Sequence, residues 1–74
     1  MEPEIDLRGM NCPIPVLRTK KALREIKIGG TLRILATDPS TVNDFSMLCK
    51  TAGHELLDSN ELDGVFKYVI KKGQ

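Results

Sequence analysis

Cys12-Pro13-Ile14-Pro15 is the stretch from which the rest of the chain can be ordered. Two prolines one residue apart do not belong inside a helix, but they suit its first turn. The first four N–H groups of a helix have no intrahelical partner, so a proline there gives nothing up. From Val16 to Ile26 the apolar residues recur at helical spacing, with Val16, Thr19, Leu23 and Ile26 on one side and Ala22 beside them. The prolines therefore pin a helix start, and Cys12 falls at or next to its N-cap. A thiol there meets the positive end of the helix dipole, which favours thiolate. Pro13 and Pro15 carry no N–H, so the donors expected near the sulfur are those of Ile14 and Val16.

Outward from that point the pattern resolves into alternating elements. Residues 3–8 alternate, with Ile5 and Leu7 opposite Glu4, Asp6 and Arg8, which reads as a short strand. Gly9-Met10-Asn11 is a turn into the helix. Gly29-Gly30 breaks it, and 31–37 reads as a second strand with Leu32, Ile34 and Ala36 on one face. Asp38-Pro39 is expected to open a second helix, Asp as N-cap and Pro as first residue. Val42, Phe45, Leu48, Cys49 and Ala52 would line its apolar face, and Gly53 would stop it. A short strand over 54–58, a hairpin signal at Asp63-Gly64 and a last strand over 65–71, with Phe66, Tyr68 and Ile70 alternating, complete the chain. The order β-α-β-α-β-β predicts a two-layer α/β (α+β) sandwich, a four-stranded mixed sheet with both helices on one face.

The 74 residues are enough for one small domain, expected to span 1–74. A composition of 41% hydrophobic and 28% charged residues is that of a soluble globular chain, and a net charge of +1 gives no global field for nucleic acid. Met1-Glu2-Pro3-Glu4 does not resemble a signal peptide, and no apolar run approaches the roughly 20 residues of a membrane span. The expected location is the cytoplasm, where thiols stay reduced.

Cys12 is the residue from which chemistry is expected. The bland reading of a free cysteine is a small buried hydrophobe. Its place at a turn–helix junction, followed by Arg18, Lys20, Lys21, Arg24 and Lys27, argues instead for an accessible, reactive sulfur. A cysteine protease would need a histidine base, and nothing places the single candidate, His54, beside Cys12. Cys49 falls on the apolar face of the second helix, reads as a core thiol, and is spaced as neither a C-x-x-C redox pair nor a zinc pattern. No metal or other cofactor is expected. What remains is a lone nucleophilic sulfur, suited to thiol-to-thiol transfer, which needs mainly nucleophilicity and access. The basic helix has two readings, a solvated face or a docking surface for an acidic partner. Asp38 and Asp44 have structural roles available as N-cap and helix-surface charge. A regulatory or RNA-binding module is the alternative, opposed by the charge balance and by having only three aromatics for base stacking.

Leu7-Arg8-Gly9-Met10-Asn11-Cys12-Pro13-Ile14-Pro15 resembles the signature of the TusA/SirA family of small sulfur-carrier proteins, in which an acidic residue, Gly, a large apolar residue and any residue precede C-P-x-P; Arg8 stands here at the acidic position. Asp38-Pro39 followed by Asp44 resembles that family's start of the second helix, and the likeness extends over nearly the whole chain. It implies a sandwich like the C-terminal domain of bacterial translation initiation factor three. It implies that Cys12 accepts sulfane sulfur as a persulfide, with Gly9, Pro13 and Pro15 positioning it. The donor would be a cysteine desulfurase or rhodanese-type protein. The acceptor would be another relay protein, in tRNA thiolation, molybdenum cofactor synthesis or sulfur oxidation; selenium is the corresponding alternative cargo. It implies partner contacts on the basic first helix and the acidic start of the second, most directly at Lys20 and Asp38 and less directly at Arg18, Lys21 and Asp44. A monomer that binds neither membrane nor nucleic acid directly is expected.

Overall fold

A computed structural model describes residues 3–74. Its elements run β1 (Glu4–Leu7), α1 (Ile14–Arg24), β2 (Thr31–Ala36), α2 (Thr41–Ala52), β3 (Glu55–Leu62) and β4 (Val65–Lys71). The strands form one sheet in the order β1-β2-β4-β3. β1 and β2 are parallel, whereas β4 is antiparallel to both β2 and β3. Both helices lie on one face, α1 against β1 and β2, α2 beside it and against β3. This is the predicted mixed-sheet, two-layer architecture.

The period-two pattern explains the core. Register sets Ile5 against Ile34 and Leu7 against Ala36, then Leu32 against Ile70 and Ile34 against Tyr68. These side chains share one face because alternate residues of paired strands point the same way. Leu7, Leu32, Ile34, Ala36, Tyr68 and Ile70 are buried there beneath Leu23, Phe45, Leu48 and Cys49 from the helices. Cys49 is thus the core thiol that was expected. The Phe45 and Tyr68 rings meet edge to face, with centroids 4.8 Å apart and planes at 86°, the favoured geometry for an aromatic pair. Asp63 and Gly64 both have positive φ, 52° and 79°, as a tight two-residue hairpin turn demands.

Four expectations are corrected. α1 starts at Ile14 and stops at Arg24; Pro13 is its N-cap and Pro15 lies buried in its first turn. α2 starts at Thr41 with Ser40 as N-cap, so Asp38 does not cap it. Val42 is 44% exposed, and Thr41 takes the inward place one position earlier. The reason is polar. Thr41 Oγ1 donates to the Asp38 carbonyl at 2.7 Å, so its lone pair accepts the Tyr68 hydroxyl proton at 2.8 Å. Finally, β3 reaches Leu62 instead of Asp58. Its polar residues read as loop, yet the ladder to β4 carries them past a bulge between Leu56 and Asp58.

Two substitutions test this packing. Tyr68→Phe leaves Thr41 Oγ1 buried without its donor and is expected to cost about 1–2 kcal/mol in urea unfolding. Val42→Ala is expected to stay within about 0.5 kcal/mol of the parent, as for an exposed helical site.

Candidate functional site

The β1–α1 connection is held by the β2–α2 connection, and Cys12 is the residue so held. Gly9, at φ 82°, takes a conformation that a side chain would strain. Its N–H donates to Thr37 Oγ1 at 2.9 Å. The Cys12 N–H donates to Asp38 Oδ2 at 2.8 Å, and the other carboxylate oxygen accepts the Ser40 N–H at 3.0 Å. Asp38 therefore ties the cysteine backbone to the entry of α2. The Ser40 and Cys12 N–H groups hold its carboxyl below the usual carboxylate range. Thr41, which bonds both Asp38 and Tyr68, links this clamp to the core.

Cys12 itself is exposed. The Cys12-Pro13 peptide is cis. The Ile14 N–H is taken by the Asn11 carbonyl at 3.0 Å, so it does not serve the sulfur as expected.

The electrostatics overturn the thiolate expectation. The Cys12 thiol is pushed above the ordinary cysteine range. The first cause is the nearby Asp44 carboxylate, which as an acceptor favours S–H; partial desolvation and the negative charges of Asp44 and Asp38 add to it, while the Ser40 hydroxyl opposes it. Both helices begin at this end of the molecule, and Asp44 sits in the first turn of α2, where an acid complements the helix dipole. The dipole that was to activate the thiol is thus answered by a carboxylate. Asp44 Oδ2 is shielded from solvent, and no donor among the described residues reaches it at full hydrogen-bonding geometry. Arg8, a cation close in sequence, is bound to Asp6 at 2.7 Å, where it holds the Asp6 carboxyl down to about 2.

Lys20 lines a groove of about 340 Å³ between α1 and α2 with Asp44, Val16, Met47 and Leu48. The structure thus brings Cys12, Asp38 and Asp44 into one cluster and sets Lys20 across the groove from Asp44. Arg18 and Lys21 are exposed on α1 and line neither the groove nor the thiol's surroundings. His54 follows the far end of α2, a helix length from Cys12, so it is not a base for the thiol. No group of three or more His, Cys, Asp or Glu side chains among the described residues is arranged to hold a metal ion. Ser40, Thr37 and Thr41 were missed in the sequence. Asp-Pro-Ser carries an Asx-turn signal that could have found the first of them.

Comparison with known proteins gives a consistent result. The profile of the family described as "Sulfurtransferase TusA" matches residues 3–72. The sulfur carrier protein TusA of Allochromatium vinosum is 45% identical over 71 residues, covering 96% of this chain and 93% of that protein. The sulfur carrier protein TusA of Pseudomonas entomophila is 46% identical over 68 residues, covering 92% and 85%. Among solved structures, a SirA-like protein of Desulfitobacterium hafniense superposes with a TM-score of 0.83 at 33% identity, covering 96% of this chain and 97% of that one. A profile match across almost the whole length, joined to a shared fold, makes this chain a member of the TusA sulfurtransferase family.

Proposed function

We propose that this protein carries sulfane sulfur as a persulfide on Cys12, receiving it from a cysteine desulfurase or rhodanese-type donor and passing it to an acceptor protein. The observation that carries the reading is an exposed thiol, held by its own backbone N–H on Asp38, with neither a histidine base nor a second accessible thiol beside it. Such a group performs no hydrolysis unaided, but it can exchange sulfur.

In loading, the Cys12 thiolate attacks the terminal sulfur of the donor persulfide. The donor's S–S bond breaks, its thiolate leaves, and Cys12–S–SH forms. In delivery an acceptor thiolate attacks that terminal sulfur and the Cys12 thiolate leaves. Neither step needs an external oxidant or reductant. Asp44 and Asp38 bear on both steps with the same sign. By disfavouring thiolate they slow spontaneous attack, and they make Cys12 a poorer leaving group, so cargo is retained. A partner that brings positive charge to these carboxylates lifts that restraint at docking. Lys20, across the groove from Asp44, belongs to the same partner-facing surface.

Two measurements test this. Incubation with a desulfurase and cysteine, or with a rhodanese and thiosulfate, is expected to add one sulfur (about 32 Da) by intact mass, as thiolate-dependent transfer requires. The gain should vanish in Cys12→Ser and survive in Cys49→Ser; no adduct on Cys12 with either donor defeats the proposal. Alkylation rate against pH is expected to give a Cys12 midpoint above the free-cysteine reference of about 8.5. Asp44→Asn should move the midpoint down and speed alkylation at neutral pH.

A further inference from the structure

A second groove, of about 260 Å³, opens at the end of the helical layer remote from Cys12. Its floor is apolar, made by Leu23 and Leu48, and its rim is basic, made by Lys20, Arg24, His54 and Lys72. Those four come from α1, from the residue before β3 and from the tail after β4, so the tertiary fold and not one helix assembles them. No acidic side chain lines the groove, whose lining is completed by Ala52 and by Gln74 with its main-chain carboxylate, and none of Lys20, Arg24 and Lys72 forms an ion pair among the described residues. Two rim groups are held in place. Lys72 Nζ donates to the Ile26 carbonyl at 2.7 Å and keeps further donors free. His54 Nδ1 accepts the Gly73 N–H at 3.1 Å, which makes Nε2 the N–H of the neutral ring.

We propose that this groove is a docking point for a protein partner's segment that carries an apolar side chain next to carboxylates. The apolar floor argues for more than a bare anion, and the unpaired cations select negative charge. Lys20 and Leu48 line this groove and the one that leads past Asp44, so the two are continuous. α1 separates Arg24 from the Cys12 end by about 15 Å at 1.5 Å per residue. A partner bound here is oriented: its acidic segment sits at the Arg24 end and its cationic surface faces Asp38 and Asp44. The inference rests on the carrier reading for what the partner does, but the groove's preference for acidic segments does not depend on sulfur chemistry.

The test is a titration of the ¹⁵N-labelled full chain, followed by amide NMR. The probes are N-acetyl-Leu-Glu-Glu-amide, N-acetyl-Leu-Gln-Gln-amide and sodium sulfate, at matched ionic strength. The Glu peptide is expected to shift the amides of Arg24, Ala52, His54 and Gly73 saturably. The Gln peptide and sulfate should leave them nearly unmoved. Lys20→Gln combined with Arg24→Gln, whose own spectrum reports its folding, is expected to weaken the Glu peptide at least about fivefold, as loss of complementary charge does. Equal shifts with the Gln peptide, equal shifts with sulfate, or shifts confined to other residues overturn the proposal. Cys12 takes no part in the titration, so its failure and a failure of sulfur loading are told apart.

Discussion

One carboxylate organises the reactive end of this molecule. Asp38 accepts the Cys12 N–H on one oxygen and the Ser40 N–H on the other, and so joins two loops that meet only through the tertiary fold. Each loop alone is a connection of the kind that moves. Coupled, they inherit the order of the sheet, because Thr41 ties the Asp38 carbonyl to the buried Tyr68 hydroxyl. Because its bonds favour the ionised form, Asp38 strengthens the clamp above the ordinary carboxylate range. That contribution is lost as pH falls through its lowered value.

The same end of the fold resolves a conflict between reactivity and restraint. Two helix N-termini converge on the thiol and would favour its anion. Asp44, in the first turn of α2, with partial desolvation and Asp38, pushes the thiol the other way. A carrier benefits from that reversal. A thiolate fully active in solution would react with any electrophile it met, whereas a thiol restrained by carboxylates, on the proposed reading, reacts once a partner's charges answer theirs.

Much of the fold was legible because period-two and period-3.6 patterns report burial directly. Ile5 and Leu7, Leu32 to Ala36, and Phe66 to Ile70 have no other economical reading. The failures share a cause: a polar group whose partner lies far along the chain. Thr41 turns inward for Tyr68, and Val42 is displaced to the surface. Asp38 spends its carboxylate on Cys12 and Ser40, so α2 begins later than its N-cap signal suggests. The thiol's restraint comes from Asp44 and Asp38, which local sequence around Cys12 does not contain. Cys12 itself was legible because two prolines have few places to stand in a helix. The basic rim of Arg24, His54 and Lys72 was not, since three separate elements contribute to it.

Strand direction has a consequence for how such a unit can be built into larger assemblies. β1 runs toward Cys12, so Pro3, whose carbonyl accepts the Arg33 N–H, lies at the opposite end of the sheet. β4 runs the other way and delivers Lys71 beside Thr31, also at that remote end. Both ends of the described chain therefore leave from the side away from the sulfur. A second polypeptide joined at either end would lie behind the domain and leave the Cys12 end of the sheet uncovered.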